Sequence, residues 1–304
     1  MSCMVRAHPL SGRLSALHRY ASTDAVYGSI NGTYTLGNGH DVHFTTHGTA
    51  DATATVVMLH GAPGSFKDFK HLAPRLVKAN PHMNVLAIDL PGNGRTSADT
   101  AGGQSGLTST SVAAAAAEAI DGVLGDTPKI LLGHSFGGHS ALLSAQWVQN
   151  LHGIVLLNSV GLDRRPYERF AIPLSMYLRQ NGLARDIVAA VNHWRYMHIF
   201  KFPKSTPKDD LTCALLRLGS SDFDAVEASV ASLRARKLPA FVAYAMDDPI
   251  VLPPVGHELA HRLDAKVHVA YPNGGHNLQK TQAQDIVDKF TTWAHDFKLL
   301  QKTK

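Results

Sequence analysis

Short apolar runs alternate with longer amphipathic segments along most of the chain. Residues 55–59, 85–88, 130–132, 154–157, 241–245 and 267–270 are apolar apart from Thr55 and His268, and too short for helices. Such runs fit strands of a parallel sheet buried on both faces. Ahead of them, residues 33–36 and 40–46 flank Gly37-Asn38-Gly39, the pattern of a β-hairpin. Between the runs, residues 67–79, 111–124, 136–148, 254–263 and 282–299 have helical patterning or an alanine-rich face. Repeated strand, helix, strand units predict an α/β fold with a mostly parallel central sheet flanked by helices.

The alternation breaks once. Residues 162–238 contain no strand run and carry helical segments with scattered Tyr, Trp, Phe and Arg. The pattern therefore predicts a core formed by residues 23–161 and 239–304, interrupted by a helical insertion at 162–238. Because the insertion follows a strand at the carboxyl edge of the sheet, where open α/β folds bind ligands, it is expected to be a lid. Tyr177, Trp194, Tyr196, Phe200 and Phe202 within it are candidates for an apolar acyl channel or for the insertion's own core.

Composition narrows the class. The chain has 304 residues, 44% hydrophobic and 17% charged, which excludes a disordered or coiled-coil protein. No apolar stretch reaches the roughly 18 residues of a transmembrane helix. Cys3 and Cys213 lack any metal-ligand or disulfide spacing, so no metal and no cofactor are implied. The net charge is +5, and Arg6, Arg13 and Arg19 stand in the first twenty residues without an acid; no Lys/Arg stripe points to nucleic acid. Residues 1–22 have the Arg- and Ser-containing, acid-free composition of a mitochondrial transit peptide, with Leu10, Leu14 and Leu17 at helical spacing and an Arg19-Tyr20-Ala21-Ser22 processing-like site. The alternative is the basic N-terminus of a cytoplasmic protein.

The chemistry concentrates after three predicted strands. Residues 130–132 run into Gly133-His134-Ser135-Phe136-Gly137-Gly138, a GxSxG pattern between a strand and a helix. A sharp turn there would lift Ser135 above the sheet edge and leave the Phe136 N–H, at the first turn of a helix, free to donate to an oxyanion. A serine hydroxyl needs a base, and the base needs an orienting acid. Of eighteen histidines, His276 directly follows Pro272-Asn273-Gly274-Gly275 after the last strand run. Asp248 stands at the carboxyl end of the run at 241–245, with Asp247 as its local rival.

The order Ser135, Asp248, His276, each after a strand, resembles the α/β-hydrolase fold superfamily over about residues 30–300. His60-Gly61-Ala62-Pro63-Gly64 resembles that family's oxyanion-hole motif, and Asp89-Leu90-Pro91-Gly92-Asn93-Gly94-Arg95-Thr96-Ser97 its loop after the fourth strand. The resemblance implies the Ala62 N–H as the second oxyanion donor, with His60 and Asp89 organising loops. It also favours Asp248 over Asp247, since the family's acid often precedes an Ile-Val-Pro run and Ile250-Val251 follows here. Asn158, with Asp163 beyond it, occupies a less usual acid position.

The implied activity is a serine hydrolase acting on an ester or related acyl bond of a small-molecule substrate, a class that includes lipid-like ones. Serine at the elbow differs from the aspartate of the family's dehalogenases and epoxide hydrolases. A carbon–carbon bond hydrolase, a peptidase or a non-catalytic ligand-binding protein on the same fold are the alternatives.

Overall fold

The computed structural model describes residues 29–49, 52–164 and 167–299. The transit-peptide reading of residues 1–22, and Cys3 with it, lies outside them. Eight strands form one sheet: β1 (Ser29–Thr35), β2 (Asp41–His47), β3 (Ala54–Leu59), β4 (Met83–Ile88), β5 (Lys129–His134), β6 (Leu151–Leu157), β7 (Ala240–Ala245) and β8 (Val267–Tyr271). Their spatial order is β1-β2-β4-β3-β5-β6-β7-β8. β2 pairs antiparallel with β1 and β4, and all the other pairs are parallel.

Side chains alternate across the sheet with the period of two that a pleated strand imposes. Val56, Met58, Val85, Ile130, Leu132, Val155 and Phe241 join one buried cluster, while Val57, Leu59, Leu86, Leu131, Ile154 and Val242 join the other. Helices α1 (Ala73–Ala79) and α9 (Ala283–Asp296) contribute Leu76, Val77, Phe290 and Trp293 to the first face. Helices α2 (Ser109–Leu124), α3 (Phe136–Ser144) and α8 (Pro253–Arg262) cover the second. The alanine run of α2 is buried against it, small side chains letting helix and sheet approach closely.

Between β6 and β7 the chain forms helices α4 (Ile172–Leu178), α5 (Leu183–His198), α6 (Lys208–Leu218) and α7 (Phe223–Ala235). A π-helical turn, Tyr167–Ala171, leads into α4.

Several expected boundaries move for local reasons. The helix expected over 67–79 is two pieces, the short turn Phe66–Phe69 capped by Ser65 and then α1 with Pro74 in its first turn. Proline lacks the N–H needed deeper in a helix and so marks a start. The first strand begins at Ser29, where polar residues alternate inward and outward and pairing with β2 supplies what hydrophobicity does not. β8, expected to be buried on both faces, alternates between partly buried and exposed because it closes the edge of the sheet.

Candidate active site

The strand order brings the site's parts together. β3 and β5 are parallel neighbours, with β4 on the far side of β3, so the chain leaves the same sheet edge in opposite directions at this point. A crevice opens there. The loop after β3, carrying Gly61 and Ala62, lies against the turn after β5: a Cβ built on Gly61 would stand 3.2 Å from the Ser135 Cβ.

Ser135 has φ 55° and ψ −127°, a conformation that costs a non-glycine residue energy and that its surroundings must enforce. They do so by close approach. A side chain on Gly133 would collide with the backbone of Gly137 and Gly138, and one on Gly137 would run into the carbonyls of Leu59 and His60. The Ser135 N–H donates to the Leu157 carbonyl (3.0 Å), and its own carbonyl accepts from the Gly138 and Val160 N–H groups (both 3.0 Å).

The Ser135 hydroxyl lies 2.9 Å from His276 Nε2. On the other side of the ring, His276 Nδ1 is 2.8 Å from Asp248 Oδ2 and 3.1 Å from Oδ1. An ionised carboxylate only accepts, which assigns the proton to Nδ1 and leaves the Nε2 lone pair facing the hydroxyl. The Asp248 side chain is fully buried, and its Oδ1 also accepts from the Ile250 (2.8 Å) and Val251 (3.1 Å) N–H groups. Those bonds fix the orientation of its carboxyl group.

Asp247 takes a different part. Its Oδ1 accepts from the Gly275 N–H (2.7 Å), and that bond pulls its carboxyl below the ordinary range. It shapes the loop that carries His276 without touching the ring. Asp248 and Ser135 take the two ring nitrogens of His276, and Asn158 supports the same loop from behind. Its amide donates to the Gly275 (2.8 Å) and His276 (2.9 Å) carbonyls while its Oδ1 accepts from the Ala245 N–H (2.8 Å), joining the ends of β6, β7 and β8. His134 Nε2–H donates to the same His276 carbonyl (2.8 Å). Burial is the main reason that the His134 pKa falls to about 3.

His60 and Asp89 are occupied in loop geometry, as expected. His60 Nδ1–H donates to the Gly61 carbonyl (2.7 Å), and Nε2 accepts from the Leu90 N–H (2.9 Å). Burial, reinforced by Arg217, takes its pKa to about 3. Asp89 accepts from the Phe66 (2.7 Å) and Arg95 (3.0 Å) N–H groups. Ala62 and Phe136 both line the cleft that contains Ser135 and His276. As the first residue of α3, Phe136 has an N–H without a partner inside the helix.

The cleft encloses about 700 Å³. Of the five aromatic residues considered for a channel, Tyr196, Phe200 and Phe202 line it, together with Tyr167; Tyr177 and Trp194 face outward. Three of the five therefore line the cleft, and Tyr177 and Trp194, largely exposed, belong neither to it nor to a core of the insertion.

One residue escaped the sequence reading altogether. Arg217 of α6 is fully buried, with its guanidinium 5.5 Å from the Phe136 ring. It donates to Asn93 Oδ1 (2.7 Å), and burial lowers its pKa to about 10. Nothing in its local sequence distinguished it from a surface arginine. Among the described residues, no group of three or more His, Cys, Asp or Glu side chains is placed to hold a metal ion.

Residues 40–298 match the family model described as "Alpha/beta hydrolase of unknown function (DUF1057)". The chain belongs to this α/β-hydrolase family. Among curated proteins, the hydrolase is 23% identical over 238 residues to "Uncharacterized protein F35H12.5" of Caenorhabditis elegans, covering 74% of this chain and 65% of that one. It is 32% identical over 130 residues to a proline iminopeptidase of Saccharolobus solfataricus, covering 42% of this chain and 40% of the relative. The aligned parts thus span less than two thirds of either relative. Among solved structures, a thermophilic esterase from Thermogutta terrifontis superposes with a TM-score of 0.65 at 19% identity, covering 90% of this chain and 100% of the esterase. A haloalkane dehalogenase loop variant from Bradyrhizobium elkanii gives 0.66 at 17% identity, covering 89% and 98%. These similarities establish the fold.

Proposed function

We propose that this α/β hydrolase cleaves an ester or related acyl bond with Ser135 as nucleophile, His276 as general base and Asp248 as the orienting acid. The observation that carries the proposal is the unbroken hydrogen-bonded chain from the Ser135 hydroxyl through His276 to a buried Asp248. His276 Nε2 takes the hydroxyl proton as Oγ attacks the acyl carbon, and the N–H groups of Ala62 and Phe136 receive the negative charge that gathers on the carbonyl oxygen. The bond to the leaving group then breaks as His276 returns the proton to it. Water, deprotonated by the same imidazole, attacks the acyl-enzyme, releases the carboxylic acid and restores Ser135. The insertion over 162–238 acts as a lid, its Tyr196, Phe200 and Phe202 forming an apolar wall for the acyl chain. Similarity to an iminopeptidase over part of the chain keeps amide hydrolysis as a second reading. The lysines around the cleft disfavour a peptide with a cationic amino end.

The test is labelling by a fluorophosphonate probe, together with turnover of a simple aryl ester. Ser135→Ala is expected to lose both while retaining the wild-type melting temperature. Asp248→Asn should lower kcat by about 10⁴, as loss of the orienting acid does in a comparable triad, and Asp247→Asn far less. Labelling of the Ser135→Ala variant at the wild-type level would refute the assignment.

A further inference from the structure

The opening of the cleft is lined with positive charge. Lys67 and Lys70 come from the turn after β3 and its continuation, and Lys280 from the helical turn Leu278–Thr281 just after His276. Lys201, from the end of α5, completes a set of four lysines that three separate parts of the chain bring to one opening. All four are exposed, and none forms an ion pair among the described residues, unlike Lys129, Lys266 and Lys289. The lining has one carboxyl group, Asp68, which is committed to its own turn by accepting from the Ser65 N–H (3.3 Å). Unpaired like charges around one cleft repel one another and do nothing for folding, so their convergence calls for a ligand of opposite sign. A second feature adds an open hydrogen-bond acceptor beside the lysines. Gln279 lies between His276 and Lys280 and lines the cleft at only 2% exposure, and its Oε1 is buried without a hydrogen-bond partner. A buried acceptor left open costs stability that a bound donor would recover.

We propose that the substrate is an amphipathic acyl compound bearing an anionic group, a carboxylate or a phosphate. Lys67, Lys70, Lys201 and Lys280 engage that group while the apolar part lies against Tyr196, Phe200 and Phe202. This inference rests on the serine-hydrolase reading for its chemistry but not for its binding. Charge-assisted hydrogen bonds to lysine are the strong ones, and at the rim of a low-dielectric cleft they also draw the anion in.

The test has two arms. In the first, turnover is compared for three p-nitrophenyl esters of one aliphatic chain length, ending in a methyl group, a carboxylate or a phosphate monoester. The anionic esters are expected to exceed the neutral one in kcat/KM by about tenfold, the value of one charge-assisted hydrogen bond. The ratio should fall between about 0.02 and 0.3 M salt as the charges are screened. In the Lys67→Gln/Lys70→Gln and Lys280→Gln variants it should move toward one, while Lys266→Gln, outside the cleft, keeps the wild-type ratio. The second arm needs no turnover and no particular orientation: calorimetric titration with an alkyl phosphate, an alkyl carboxylate and the alkanol of equal length. Preferential binding of an anion that the cleft lysine variants weaken supports the inference even if every ester is inert, in which case only the serine-hydrolase reading fails. The stronger of the two anions identifies the group. Equal binding of alkanol and anions, or an anion preference that the lysine variants leave unchanged, overturns the proposal.

Discussion

The sheet and helix α5 of the insertion between β6 and β7 differ in how far burial holds them. In β3, β5 and β7 every residue is buried, and the two faces of the sheet are packed continuously. Helix α5 instead leaves Leu183, Ile187, Val191 and Trp194 more than half exposed along one side. Helices α6 and α7 of the insertion bury Leu215, Leu216, Val226, Val230 and Leu233 in the same cluster as the second face of the sheet, and polar contacts to the loops after β4 add to that packing. Arg179 donates to the Ser105 (2.6 Å) and Leu107 (2.7 Å) carbonyls, the Gly94 N–H donates to Asp210 (3.1 Å), and Arg217 reaches Asn93. Burial makes the sheet a rigid frame for Ser135, Asp248 and His276. The sparse burial of α5 leaves Phe200 and Phe202, which follow it, freer to shift by local rearrangement without global unfolding.

The largest expected effect tests the rigid side. Gly137→Val would drive a branched side chain into the Leu59 and His60 carbonyls, so a loss of more than about 3 kcal/mol, or failure to fold, is expected in urea denaturation. Near-native stability would mean that the contact between the β3 loop and the elbow is looser than its geometry.

Acid should weaken the same region. His60, His134 and His139 are buried with pKa values near 3, set chiefly by desolvation. Each stays neutral when folded but binds a proton when unfolded below about pH 6.5. Stability is therefore full above pH 6.5 and falls as the pH drops toward 3, by about 1.4 kcal/mol per pH unit for each such histidine. Asp68, raised to about 6 by burial, works in the opposite sense between pH 6 and its unfolded value and cancels about one of the three. His139 has no partner on either ring nitrogen and stacks on Phe136 with centroids 4.9 Å apart. His139→Phe should keep the stacking, remove about one proton from the slope and raise neutral-pH stability by about 1 kcal/mol. An unchanged slope would show that His139 titrates normally.

A smaller effect is expected on the insertion. Arg179→Ala removes two hydrogen bonds to the core and should cost about 1 kcal/mol or less globally, while speeding limited proteolysis within 162–238. Equal protection of both regions would erase the contrast drawn above. Smallest of all, Trp194→Ser should change the melting free energy by no more than about 0.5 kcal/mol, because the ring is 54% exposed.

Much of this was legible locally. Consecutive apolar residues in 55–59 and 241–245 can be satisfied only by a sheet covered on both faces, and Gly133-His134-Ser135-Phe136-Gly137 encodes its turn through residues two positions apart. The amphipathic pattern over 67–79 continues through the break ahead of Pro74, so the pattern alone predicts one helix where the structure has two pieces. The composition of β8 predicts an interior strand because it does not reveal how many neighbours the strand has.

By itself, the sequence determined the α/β alternation, the elbow at Ser135 and the positions of His276 and the Asp247-Asp248 pair. These depend on propensity, turn chemistry and spacing within short windows. The tertiary structure decided which aspartate meets the imidazole, that Asn158 and His134 brace its loop, that Arg217 is buried behind Phe136, and that four distant lysines share one opening. Each of these joins segments far apart in the chain. Their proximity follows from strand order and from the direction in which each side chain leaves the sheet edge, quantities that no local window of residues contains.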